Sequence, residues 1–254
     1  MKRLLFCGLL GGCVLFSGCN HSSNSSNKNS ASKPKRDTKH TKTRTDWDTT
    51  YRQSFDDSNL TDVQKLNPRI RVDLKYATAD NFMHQVMYIR LKKAYLQKDV
   101  ALRLALCQHY LSGLDSSLHL LIYDAVRPVS VQWKMWKALD TLPVSERIKF
   151  VSNPVNKSLH NYGAAVDLTL CRSDNTPLDM GADFDDIRPL AYPRLEQQFL
   201  SNGMLTTEQV NNRKLLRKVM LSQGFQVLST EWWHFNACSR TKAKQKYTLL
   251  EKEL

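Results

Sequence analysis

Ser158-Leu159-His160-Asn161-Tyr162-Gly163-Ala164-Ala165-Val166-Asp167 sets a histidine and an aspartate seven residues apart, across a glycine and at the head of an apolar run. The run continues to Leu170 and has the length and β-branched content of a strand. With a period of two, Ala165, Asp167 and Thr169 share one face. Ala164, Val166, Leu168 and Leu170 share the other, which is wholly apolar and belongs in a core. Asp167 then points into the space that Ala165 leaves open, and Gly163 lets the segment carrying His160 bend back over that space. A histidine nitrogen and an aspartate oxygen are ordinary zinc ligands. The same spacing also occurs without metal, so a third ligand is needed to make a site.

Glu231-Trp232-Trp233-His234 supplies one. His234 is the candidate third ligand, and Glu231 is a carboxylate close by that is not required to bind the metal. The alternative makes Trp232, Trp233 and Phe235 core aromatics with an incidental histidine among them. The aromatic segment has the composition of a strand, where residues three apart face opposite sides. A bulge, a strand entry or a strong twist is therefore predicted between Glu231 and His234. Two histidines and one aspartate leave the fourth zinc position open, the arrangement of catalytic rather than structural sites. Zinc lowers the pKa of bound water to about 7, and a nearby carboxylate can take its proton and pass it to a leaving amine.

Upstream, the alternation of Ile70, Val72, Leu74 and Tyr76 predicts a half-buried strand over 69–77, followed by a loop over 78–82. The three- and four-residue spacing of apolar positions between Leu91 and Leu111 predicts one or two amphipathic helices ending at Ser112-Gly113. Leu118–Ala125 reads as a second strand, and Val129–Leu139 as a helix. Arg127 precedes Pro128 at the corner between them, where a side chain projects over the end of a sheet. A fixed arginine there can stabilise an oxyanion; a lone arginine is otherwise a carboxylate partner or a surface charge. Downstream, Thr206–Phe225 is the clearest late helix, with Thr206 or Thr207 as N-cap and Gly224 as its stop. A hairpin or strand pair over 226–228 and 232–235 follows.

The chain has 254 residues and a formal charge of +13. Residues 1–45 carry nine Lys/Arg against Asp37 alone, so most of the excess belongs to a tail. That location, without a groove-reading motif, argues against nucleic acid as a partner. Lys2 and Arg3, the apolar Leu4–Phe16 and the small Ser17-Gly18 predict an export signal over 1–18. Cys19 follows as in a bacterial lipobox, which predicts a lipidated cysteine and attachment to the outer side of a bacterial membrane; a plain secretory signal is the alternative. Residues 19–45 are Ser, Asn, Thr and Lys with almost no apolar side chains, a disordered basic tether. Residues 46–254 form the predicted folded domain. Its odd number of cysteines, Cys107, Cys171 and Cys238, predicts buried thiols, with a Cys171–Cys238 bridge as the alternative.

Taken together, several motifs resemble those of the D-alanyl-D-alanine dipeptidases, a family of zinc enzymes. They are Asp73–Phe82, Tyr123-Asp124-Ala125-Val126-Arg127-Pro128, Ser158-x-His160-x-x-Gly163-x-Ala165-x-Asp167, Met180-Gly181-x-x-Phe184-Asp185, Asn212-Arg213, and Gly224-Phe225 with Glu231–His234. The resemblance implies an α+β fold, a small antiparallel sheet flanked by helices as in hedgehog-like domains. It implies zinc on His160, Asp167 and His234, with Glu231 as general base and Arg127 as transition-state partner. Ser158 and Asp185 fall where the family contacts its dipeptide, Asp185 at the ammonium group. Leu159 departs from the pattern, standing where a polar residue is usual. Export would place the reaction outside the cytoplasm, in scavenging or wall turnover. Two other functions are a carboxypeptidase or endopeptidase acting on longer peptidoglycan stem peptides, and a non-catalytic wall-binding lipoprotein; retention of Glu231 beside all three ligands argues against the second.

Overall fold

The computed structural model describes residues 60–253. The predicted export signal, Cys19, the tether and the first residues of the predicted domain lie outside the described residues.

A five-stranded sheet organises the chain. Its strands are β2 (Arg71–Val72), β4 (His119–Asp124), β5 (Ala165–Cys171), β6 (Gln226–Leu228) and β7 (Glu231–Asn236), in spatial order β2-β4-β5-β7-β6. All neighbours are antiparallel except the edge pair β2–β4. A separate two-stranded ribbon pairs β1 (Leu60–Asp62) with β3 (Tyr95–Gln97). Two long helices, α1 (Lys98–Leu114) and α3 (Thr207–Leu221), pack on each other and on the sheet. The shorter α2 (Val129–Ala138) follows β4, and α4 (Arg240–Lys246) follows β7. The α+β class with helices flanking a small sheet is what the motifs imply.

The alternation read from the opening stretch governs how the sheet is packed. Val166, Leu168 and Leu170 of β5 join Leu120, Ile122 and Phe235 in the main core, where Leu104, Leu111, Leu216 and Val219 from α1 and α3 cover them. The opposite face carries Asp167 and Thr169, and it too is buried. Phe184, from the long connection after β5, covers part of it, its ring centroid 5.1 Å from Tyr123 and 5.6 Å from Trp233. One face of the sheet therefore supplies the hydrophobic stabilisation and the other is free to carry chemistry.

Two expectations change. The strand predicted over 69–77 ends after Val72, apart from one further ladder bond from Asp73 N to Ile122 O (2.9 Å), and Lys75–Ala77 is a 3-10 turn. The chain then turns about Asn81, whose amide nitrogen lies 2.8–3.1 Å from the carbonyls of Lys75, Thr78 and Gln85 and shares its two protons among them, a local alternative to the ladder. The burial alternation still holds, with Ile70, Leu74 and Tyr76 inside. The helix predicted from Leu91 starts only at Lys98, because Tyr95–Gln97 pair with Asp62–Leu60. Leu91 and Ala94 are buried in irregular chain, so their helical spacing reflects tertiary packing rather than a helix. The three cysteines are buried free thiols.

Candidate metal centre

Three adjacent strands place Asp124, Asp167 and His234 in one row across the sheet, since Asp167 of β5 lies opposite Asp124 of β4 on one side and His234 of β7 on the other. Directly opposed residues in antiparallel strands point to the same face. Both flanking strands are irregular close to this row. On β4 the register shifts between Ile122 and Asp124. On the β6–β7 hairpin, Val227 faces Phe235 while Leu228 faces Glu231, so extra β7 residues bulge against one step of β6. This is the irregularity expected between Glu231 and His234. It buries Trp232 and Trp233 consecutively while bringing Glu231 and His234 to the same cavity.

His160 reaches the row from a 3-10 turn, Leu159–Tyr162. Ser158 caps the turn by accepting from His160 N (3.3 Å), and Asn161 Oδ1 accepts from Ser158 N (2.7 Å), a reciprocal capping box. Gly163 ends it in the left-handed region at φ 62°, with Gln97 N, Val126 and Leu60 3.2–3.3 Å from where a Cβ would lie. A residue without a side chain is required at that position.

The side chains converge closely. His160 Nε2 lies 3.4 Å from Asp167 Oδ2, His234 Nδ1 lies 2.9 Å from Asp167 Oδ1, and the two ring nitrogens are 3.3 Å apart. Among the described residues, these three form the group of ligating side chains able to hold a metal ion. The far nitrogens test the fit. His160 Nδ1 donates to Ala125 O (2.7 Å) and His234 Nε2 to Asn236 Oδ1 (2.8 Å), which leaves the two converging nitrogens with lone pairs directed at each other. Such a pair repels unless a cation lies between, so the residues fit a metal. A proton or a metal ion can supply that cation: burial opposes charge on His234, yet its bond to Asp167 pushes its pKa up to about 9. Burial likewise opposes charge on Asp167, but His160 and His234 hold it well below the carboxylate range.

Glu231 stands beside the group without joining it, 3.8 Å from His234 Nδ1. Burial raises its carboxyl above the ordinary glutamate range and Asp167 adds to this, against the pull of His234, His160 and Arg127. Arg127 is buried, with Asp124 Oδ2 at 2.6 Å, Asp167 Oδ2 at 3.5 Å and its guanidinium 5.1 Å over the Tyr76 ring. Asp185 accepts from the Tyr76 hydroxyl (2.8 Å) and has a positive φ of 63°. Burial lifts its carboxyl well above the usual range, as do Asp167 and Glu231. These residues, with Ser158 and Leu159, line one cavity of about 440 Å³. All seven residues singled out from the sequence therefore meet in one place, with the Ser158 hydroxyl also serving as a helix cap.

Asp124, Tyr76, Tyr88 and Asn236 were given no task by sequence. Tyr88 donates to Asp124 (2.6 Å), and Asp124 in turn holds Arg127. The Asn212-Arg213 motif lies outside the cavity and braces the loop that carries Asp185. Arg213 donates to Met180 O (2.6 Å) and Leu190 O (3.1 Å), and Asn212 to Asp179 O (2.9 Å).

Comparison with known proteins identifies the family. The chain is 34% identical over 182 residues to a D-alanyl-D-alanine dipeptidase of Escherichia coli (strain K12), covering 71% of this chain and 85% of that protein. It is 33% identical over 180 residues to one of Enterococcus faecalis (strain ATCC 700802 / V583), covering 65% and 85%. A solved LD-carboxypeptidase structure overlaps with a TM-score of 0.41 at 16% identity, over 78% of each chain. The family model described as "D-ala-D-ala dipeptidase" matches residues 56–252, a span that holds every residue of the cavity. On that match the chain belongs to the D-Ala-D-Ala dipeptidase family.

Proposed function

We propose that this chain hydrolyses D-alanyl-D-alanine with zinc held by His160 Nε2, Asp167 and His234 Nδ1. The observation that carries the reading is the convergence of those atoms with Glu231 alongside. Zinc at that position would supply a Lewis acid and would lower the pKa of water to about 7. Glu231 takes the proton from the attacking water and returns it to the leaving amine, a task suited to a carboxyl with a raised pKa. Arg127, fixed by Asp124, faces the oxyanion of the tetrahedral intermediate. Asp185 and the Tyr76 hydroxyl receive the substrate ammonium, whose charge draws Asp185 back to the carboxylate. Ser158 lies in the same wall and contacts the dipeptide.

The second reading, a carboxypeptidase on stem peptides, draws on a cavity wall that also includes Ile148, Lys149 and Arg240, beyond the residues assigned to the dipeptide. A substrate series from dipeptide to stem pentapeptide, with and without chelator, separates the two. The expected result is chelator-sensitive alanine release that is greatest with the dipeptide. Faster cleavage of the pentapeptide would favour the second reading, and turnover indifferent to chelation would end both.

We further propose that residues 1–18 direct export, that Cys19 is lipidated and that 19–45 tether a catalytic domain spanning 46–254 outside the cytoplasm, in scavenging or wall turnover. The support is the basic, apolar and small-residue order of 1–19. Cys19→Ala is expected to move the full chain from the membrane fraction to the soluble one, as read by fractionation; an unchanged distribution would remove the anchor.

A further inference from the structure

We infer that Asn161 and Gln132 form a positioning clamp that fixes Arg127 relative to His160. Both side chains are completely buried. The Asn161 amide donates to Arg127 O (2.7 Å) and to Gln132 Oε1 (2.8 Å), while its Oδ1 accepts from Ser158 N (2.7 Å). Gln132 donates in turn to Ser152 O (2.7 Å), whose residue lines the cavity. The Asn161 main chain is held as well, its carbonyl accepting from Leu250 N (2.9 Å).

The clamp has a geometric purpose. Arg127 lies at a strand-to-helix corner before Pro128 and His160 on a one-turn 3-10 helix, so neither backbone is stiffened by a long element. One main-chain bond joins the two segments, Arg127 N to His160 O at 3.1 Å, and the His160 ring adds its Nδ1 bond to Ala125 O at 2.7 Å. Asn161 binds the carbonyl side of Arg127 as well, so the arginine is held at both its N–H and its C=O and the corner cannot rotate about the turn. Gln132 satisfies the remaining Asn161 proton and extends the same frame to the cavity wall at Ser152. A buried amide pair in which each nitrogen and oxygen has a partner specifies one arrangement, and displacement of a reacting group by about 1 Å can cost roughly 100-fold in rate.

The clamp rests on Arg127 serving the reaction as proposed above, and a double-mutant cycle on the zinc-loaded enzyme tests both. Gln132→Met keeps length and volume while removing the bond to Ser152 and the acceptor for Asn161. The expected kcat falls roughly 10- to 100-fold, with bound zinc unchanged and KM within about twofold. In the Arg127→Lys background the same substitution should add little, because both act through one group. A merely structural role would show in melting temperature and metal content and leave kcat per folded, loaded enzyme intact. Asn161→Ala, assayed alike, provides a second probe. Unchanged kcat in Gln132→Met, or full additivity with Arg127→Lys, overturns the clamp. Loss in Arg127→Lys with none in Gln132→Met overturns the clamp alone, whereas no loss in either overturns the role of Arg127 as well.

Discussion

Glu231→Gln is expected to lower kcat by about 10²- to 10⁴-fold, the range for losing a general acid–base group, while the proposed metal remains bound. The substitution keeps the shape and removes only the ability to hold a proton as carboxylic acid. Glu231 lies 3.8 Å from His234 Nδ1 and outside the close group formed by His160, Asp167 and His234, so metal affinity does not depend on it. Its raised carboxyl pKa, caused first by burial, brings it nearer the working pH, where a group can both accept and return a proton. Turnover and metal content measured on the same preparation decide the matter. An unaffected rate contradicts the assigned role; loss of zinc together with rate would make Glu231 a ligand. A non-catalytic wall-binding protein would show no turnover to lose.

The sequence revealed the part of this site that depends on local pattern. Alternation along Ala164–Leu170 put Asp167 on the face away from the apolar core, and the Glu231–His234 spacing on an aromatic strand required the bulge that the hairpin contains. The residues offered His160, Asp167 and His234 as candidate ligands, while their joining in one site and the α+β architecture came from the resemblance, because no pattern in β5 and β7 says that these strands are neighbours. What stayed hidden was tertiary. Asp124 is an ordinary strand residue until Arg127 and Tyr88 close on it. Asn161 and Gln132 are 29 residues apart and meet only when the His160 turn packs on α2. The overextended strand at 69–77 and the early helix start at Leu91 fail for a related reason. In each, burial spacing was legible, but a side-chain bond from Asn81 or strand pairing with Leu60–Asp62 took the backbone elsewhere.

Arg127→Ala should damage both rate and stability, and the second effect follows from burial. Asp124 is fully buried, and its partners are the Arg127 guanidinium at 2.6 Å and the Tyr88 hydroxyl at 2.6 Å. Removing the guanidinium leaves a carboxylate in the interior with the Tyr88 hydroxyl as its hydrogen-bond donor and the His160 ring 3.7 Å away, a change that typically costs about 3–5 kcal/mol. Against a typical total of about 5–15 kcal/mol, that is a large fraction, and denaturant unfolding is the direct measurement. Arg127→Lys separates structure from chemistry. An ammonium retains the charge beside Asp124 but lacks the planar fork that reaches Asp124 and Asp167 together over the Tyr76 ring. It should retain most of the stability and still lose about 10²- to 10³-fold in kcat, the scale for one oxyanion donor. If Lys restores both rate and stability, charge alone suffices and the fork has no role in the reaction. If Ala leaves stability intact, Asp124 is satisfied by something other than the arginine, and the argument that Arg127 is held rigid for catalysis falls with it.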